Sequence, residues 1–127
     1  EIFNNNNYGL VGGIRYKRKD GLVKKISSVV ANNIRSFILK DGCKDTGCSL
    51  KVFKKDIFLK IPFFDGLHRF LPALFIAHKE NLFFCNVNHR PRVHGISKYG
   101  VSNRLFKGIR DIIKVMKIIK TINKKYD

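Results

Sequence analysis

The spacing of apolar residues changes several times along this chain, and each change predicts an element. Residues 8–14 form a short apolar and glycine-bearing run that predicts a strand, with Gly12 and Gly13 allowing close backbone approach at its end. Arg15 then falls at the strand's C-terminal end, where α/β folds place ligands. From Asp20 the period turns helical: Leu22, Ile26, Val29, Val30, Asn33, Ile34, Phe37 and Ile38 share one face, with Lys24, Lys25 and Arg35 elsewhere. Asp20 suits an N-cap, and Gly42 suits the left-handed position that closes a helix. The apolar face of this helix is expected to pack on the domain.

Further along, residues 47–53 predict a second strand, 55–60 a short helix and 66–79 another, with Pro72 tolerated only near its first turn. Leu67, Phe70, Leu71, Leu74 and Phe75 are its core candidates. Residues 81–88 predict a third strand. Strands alternating with helices define an α/β layer fold. The last segment, 101–127, places Leu105, Ile109, Ile112, Met116 and Ile119 at helical spacing. Arg104, Lys107, Arg110, Lys114, Lys117 and Lys120 occupy the remaining surface. Periodicity alone fits two placements of this basic amphipathic helix: packed on the domain, or lying on an anionic membrane surface.

Charge adds to that picture. Among 127 residues, 26 Lys and Arg stand against 9 Asp and Glu, a net charge of +17 that calls for an anionic partner. Nucleic acid, a phosphorylated substrate and an anionic membrane all qualify. Abundant Lys, Ile, Asn and Phe point to a compositional bias, which weakens the case for nucleic acid in particular. Cys43, Cys48 and Cys85 are odd in number and are expected to be reduced thiols. A zinc site from Cys43, Cys48, His89 and His94 lacks any Cys-x-x-Cys pair, so no metal site is assigned. No apolar run reaches the roughly 20 residues of a spanning helix, so membrane contact within the chain is expected to be peripheral.

The stretch with most chemistry is His89-Arg90-Pro91-Arg92-Val93-His94-Gly95-Ile96-Ser97-Lys98-Tyr99-Gly100. Arg and Lys supply fixed donors for phosphate oxygens, while Gly lets backbone N–H groups approach the same anion. A second basic turn, Lys17-Arg18-Lys19, precedes a helix N-terminus, where cations gain nothing from the helix dipole; phosphate binding accounts for it better.

The spacing Arg92-x-x-Gly95-x-Ser97-Lys98 resembles the distal loop of polyprenyl-phosphate and dolichyl-phosphate sugar transferases, a branch of glycosyltransferase family 2. Three further stretches follow that family's order: Val11-Gly12-Gly13-Ile14-Arg15-Tyr16-Lys17-Arg18-Lys19-Asp20, Lys44-Asp45-Thr46-Gly47-Cys48-Ser49-Leu50-Lys51-Val52-Phe53, and Phe64-Asp65-Gly66-Leu67-His68-Arg69-Phe70-Leu71-Pro72. The resemblance implies the C-terminal, acceptor-side half of a GT-A-type nucleotide-diphospho-sugar transferase over residues 1–100, followed by a membrane-interfacial helix over 101–127. Nothing here matches the family's nucleotide-binding strand and helix or its Asp-x-Asp motif. The expectation is therefore a truncated, split or excised gene product, inactive alone, on the cytoplasmic side of the membrane.

By the same resemblance, Arg15 and Arg18 face the acceptor phosphate or donor diphosphate. Arg90, Arg92, Gly95, Ser97 and Lys98 belong to a loop that closes over the diphosphate. Asp45 orients an arginine, touches the sugar or caps a turn. Asp65 and Arg69 are candidates for sugar or acceptor contact, with helix capping the alternative for Asp65. The complete enzyme would take a nucleotide-sugar, a lipid-phosphate acceptor and Mg2+ or Mn2+, and a separate N-terminal polypeptide is a conceivable partner. Two competing readings are a small basic nucleic-acid-binding protein and a noncatalytic subunit.

Overall fold

The computed structural model describes residues 2–16, 22–88 and 101–126. Its centre is a three-stranded mixed sheet of order β2-β1-β3, built from β1 (Leu10–Tyr16), β2 (Lys51–Phe53) and β3 (Leu82–Asn88). β1 pairs antiparallel with β2, from Leu10 opposite Phe53 to Gly12 opposite Lys51. It pairs parallel with β3 along its whole length, from Leu10 opposite Leu82 to Tyr16 opposite Asn88. Parallel neighbours need a long crossover. Here it contains α2 (Leu22–Leu39), β2, α3 (Lys55–Phe58), a 3-10 turn (Leu67–Arg69) and α4 (Leu71–Ala77). A short α1 (Ile2–Asn5) precedes the sheet, and α5 (Val101–Tyr126) follows it. The α/β class predicted from the alternation is the one observed.

α4 is the hub of the core. Leu71, Pro72, Ala73, Leu74, Phe75 and Ala77 are all buried, as expected for a helix that is apolar on nearly every side. Phe53 of β2 packs at a tilt against Phe75 and Phe58, with ring centroids 5.9 and 4.9 Å apart. Leu10, Leu39, Ile57, Ile61, Phe64, Leu67 and Phe70 complete that cluster, joined by Val115 and Ile122 of α5.

The helix expected over 55–60 is the shorter α3 and the strand expected over 81–88 starts one residue later, at Leu82, while three boundaries differ more. β1 begins and ends two residues later than 8–14, because the parallel ladder with β3 carries Arg15 and Tyr16 into the sheet. The strand expected over 47–53 is pared to Lys51–Phe53, since Asp45 to Cys48 close a turn, with Cys48 N donating to Asp45 O at 3.3 Å. The helix expected over 66–79 splits into the 3-10 turn and α4. Pro72, at the start of α4, has no N–H to continue a helical ladder from the turn before it.

The larger correction concerns α2, whose apolar face does not pack on the domain. Leu22, Ile26, Val29, Val30, Ile34, Phe37 and Ile38 are all exposed, Phe37 by 84%. The face turned inward holds Arg35 and Leu39, both buried, with Ser28, Asn32 and Ser36 half-buried beside them. The periodicity located the helix correctly and assigned its faces the wrong way round. Polar partners on the 41–48 segment explain the inversion: they pair Asn32 and both Nη atoms of Arg35, which an apolar contact would leave unpaired.

α5 spans the predicted segment, and its apolar arc is wider than the domain covers. Val115 and Ile122 are buried, with Ile112, Ile118 and Ile119 packed beside them. Phe106, Ile109, Ile113 and Met116 form a second, exposed stripe. The stripe expected from spacing thus straddles both, since Ile112 and Ile119 pack inward while Ile109 and Met116 do not. α2 and α5 touch each other. No described helix is long and apolar enough to cross a membrane.

Candidate functional site

The end of β1 meets the turn that follows α2, and there Arg15 and Asp45 join. Asp45 accepts three hydrogen bonds from Arg15: from the backbone N at 3.1 Å, from Nε at 2.8 Å and from Nη2 at 2.7 Å. The carboxylate is 7% exposed and the Arg15 side chain 22%, so the pair sits at the protein edge rather than in bulk water. The fork-to-fork geometry occupies the Nε/Nη2 edge of the guanidinium and directs the Nη1 edge away from Asp45. Gly47 makes room for it, since a Cβ there would lie 2.9 Å from Arg15 Nη2. Of the arginines the sequence offered to Asp45, Arg15 is the one it meets.

The turn carrying Asp45 is fastened from both sides. Arg35 of α2 pairs with Asp41 and donates from Nη2 to Cys43 O at 2.8 Å; Asp41 in turn accepts from Cys43 N at 3.0 Å. Thr46 Oγ1 donates to Asn32 Oδ1 at 2.9 Å. From β2, Lys51 Nζ donates to Thr46 O at 3.2 Å and to Cys48 O. Burial depresses the Lys51 ammonium pKa below its ordinary value, opposed by the nearby Cys43, Cys48 and Asp45. Burial likewise pushes the Cys43 thiol up. Cys43, Cys48 and Cys85 are all free thiols.

A second group of candidates lies at the junction of the 3-10 turn and α5. Arg69 donates from Nη2 to Asp111 at 2.8 Å and stands 5.6 Å over the Phe70 ring. Asp65 is exposed and pairs with Lys107, which holds its carboxyl below the usual range and raises the Lys107 ammonium. The position before the 3-10 turn is Gly66, without a side-chain cap, so helix capping is not the role of Asp65. Asp65, Phe106, Lys107, Arg110, Asp111 and Lys114 line a cleft of about 470 Å³. For His68, burial first, then Arg69 and Lys51, lower its pKa, while Asp65 opposes them.

Of the residues singled out in the sequence, the structure therefore joins Arg15 to Asp45, and ties Asp65 and Arg69 to α5. Arg18, Arg90, Arg92, Gly95, Ser97 and Lys98, and the histidines His89 and His94, lie outside the described residues. Among the described residues no three His, Cys, Asp or Glu side chains gather closely enough to hold a metal ion. Arg35, Asp41, Asn32 and Lys51 were missed as site residues. The available signal was the small polar face of α2, where a lone arginine sits among Ser28, Asn32 and Ser36.

A guanidinium held rigidly at a strand's C-terminal end, in a mixed α/β layer, is an arrangement suited to binding an anion such as phosphate. The chain is 38% identical over 110 residues to the dodecaprenyl-phosphate galacturonate synthase of Rhizobium johnstonii, covering 84% of this chain and 32% of that protein. It is 27% identical to the undecaprenyl-phosphate 4-deoxy-4-formamido-L-arabinose transferases of Edwardsiella ictaluri, over 74% of this chain and 29% of that protein, and of Aeromonas hydrophila, over 86% and 33%. Over about 80% of its length the chain is thus homologous to polyprenyl-phosphate sugar transferases of glycosyltransferase family 2. It spans about a third of the length of the curated relatives it matches. No protein-family model and no solved structure matches it.

Proposed function

We propose that this chain is the acceptor-side part of a GT-A-type transferase that moves a sugar from a nucleotide-sugar to a polyprenyl phosphate at a membrane surface. The observation that carries the reading is the inversion of α2. Its polar face grips the turn that holds Arg15, while its apolar face stands exposed, as does the apolar stripe of α5, a helix it touches. A bilayer is the occupant that matches these faces. Exposed lysines and arginines flank both helices, among them Lys25, Lys40, Lys107, Arg110, Lys114, Lys117 and Lys120. Each basic residue near an anionic surface contributes about 1 kcal/mol. The phosphate of a lipid acceptor lies at the headgroup level, the depth at which an interfacial helix rests.

In this scheme Arg15, with its guanidinium oriented by Asp45, binds the acceptor phosphate. A phosphate is already nucleophilic at neutral pH, so the residues here need to hold it in line and offset charge rather than remove a proton. Arg92, Ser97 and Lys98 serve the donor diphosphate in the same reading. The test is transfer of labelled sugar to polyprenyl phosphate in vesicles by the protein encoded by the intact gene. Arg15→Ala and Arg92→Ala should each lower turnover more than tenfold with circular dichroism unchanged. Wild-type turnover in both variants would remove these arginines from the mechanism. Absence of transfer by the wild type to any polyprenyl phosphate, with steeply salt-dependent nucleic-acid binding instead, would move the protein to the competing class.

A further inference from the structure

The buried ion pair behind the Arg15–Asp45 couple has no place in the reaction just described, yet it is the most enclosed charged group among the described residues. Arg35 is 5% exposed and Asp41 3%, and a pair so buried is a poor source of stability compared with apolar side chains of the same size. Its value lies elsewhere, and its connections say where. Arg35 reaches the 41–48 segment at two points, the Asp41 carboxylate and the Cys43 carbonyl, and Asp41 bonds back to the Cys43 N–H. The chain reverses there through left-handed Lys40, at φ 53°, and Gly42, at φ 62°, which a floppy polar loop would not need. Two residues beyond Cys43 stands Asp45, with its three bonds to Arg15. Three residues before Arg35 on the same helix, Asn32 takes the Thr46 hydroxyl.

We infer that Arg35 is a positioning residue for Arg15: it bolts α2 to the 41–48 turn and so fixes the direction and height of the Arg15 guanidinium relative to the exposed face of α2. The inference deepens the acceptor-phosphate reading and rests on it for the identity of the ligand. The mechanics follow from α2 alone. One face of the helix carries the apolar residues, the opposite face carries Arg35 and Asn32, and the turn bonded to these holds Asp45. A body resting on the apolar face therefore finds Arg15 at a set distance. A lysine at position 35 keeps the charge but has no fork with which to span Asp41 and Cys43 together.

Two measurements test this, the first independent of activity. In ¹⁵N spectra of the protein, the Arg15 Nε–H signal should be protected by Asp45. In Arg35→Met it should lose that protection at least tenfold while the amides of the β1–β3 ladder keep theirs. Arg35→Lys should fall between the two. Asn32→Ala, which removes one link and leaves the buried pair intact, should lower the protection about threefold, and it answers the question if Arg35→Met does not fold. Unchanged Arg15 protection in folded Arg35→Met, or in Asn32→Ala should that be the only folded variant, would overturn the inference.

The second measurement uses the protein from the intact gene. Arg35→Met should raise KM for polyprenyl phosphate about tenfold and shift KM for the nucleotide-sugar less than twofold. Added to Arg15→Ala it should change the acceptor KM little further, because both act through one guanidinium. Additive effects, or equal shifts for both substrates, would refute positioning. If Arg15 protection responds to Arg35→Met while the wild type neither binds nor uses polyprenyl phosphate, the positioning stands and the acceptor reading falls.

Discussion

Replacing Asp45 by Asn tests the site at its hinge with almost no change of shape. The substitution removes the charge that faces Arg15 and puts an amide where a carboxylate oxygen accepts from Nη2 at 2.7 Å or Nε at 2.8 Å. Hydrogen bonds to charged groups contribute about 1.5–3 kcal/mol each. Breaking a fully buried pair by removing one partner costs about 3–5 kcal/mol, whereas exposed pairs are worth about 0–1. Arg15 is 22% exposed and Asp45 7%, which places this pair between the limits at about 2–3 kcal/mol. For a chain of this size a loss of 1 kcal/mol lowers Tm by about 4 °C, so Asp45→Asn should melt about 8–12 °C below the parent. Circular dichroism melts at neutral pH provide the measurement, with Arg15→Gln and the double variant completing the cycle. The double variant should melt close to Asp45→Asn, because the second substitution removes the stranded cation. A Tm change under 2 °C, or additive losses, would refute the claim that the pair organises the site.

Other perturbations read different parts of the molecule. Leu74→Ala empties a fully buried position in α4 and should cost about 2–5 kcal/mol in urea unfolding; a loss below 1 would contradict the assigned core. Gly66→Ala forces a side chain onto φ 87° with its Cβ 2.6 Å from Arg69 Nη2, so a loss of about 1–2 kcal/mol is expected, and a neutral result would contradict the left-handed turn. Phe37→Glu on the open face of α2 should leave the melting curve within about 0.5 kcal/mol of the parent while cutting binding to anionic vesicles at least tenfold; unaltered vesicle binding would contradict the docking face. Burial lowers the pKa of His78, and of His68, below the ordinary 6.5. Between the lowered folded value and 6.5 the unfolded chain binds more protons, so stability should climb with pH through that window and level off above it. The slope should diminish in His78→Gln, and a stability that falls as pH rises from 5 to 6.5 would be the wrong sign.

How much of the site was legible beforehand depended on the kind of bond involved. Arg15 was legible because a cation just after an apolar strand is a local pattern. Asp45 was legible as a residue and ambiguous in role, because its partner lies thirty positions away. Arg35, Asp41 and Lys51 were passed over: their bonds run to backbone carbonyls and to one another across a turn that no period describes. Arg69 was legible as a residue, while its bond to Asp111, forty-two positions later, was not.

Taken alone, the order of residues determined where the helices and strands fall, that they alternate, and that the chain is kin to polyprenyl-phosphate sugar transferases. These depend on short-range backbone preference and on motif spacing, which a linear string carries. Tertiary structure alone decided which side of α2 faces inward, which half of the α5 arc is covered, and which carboxylate each arginine meets. The physical reason is that a hydrophobic stripe records only a wish to leave water, not what will cover it. On α2 the buried polar bonds to the 41–48 turn took the inner face, and the apolar stripe was left facing outward.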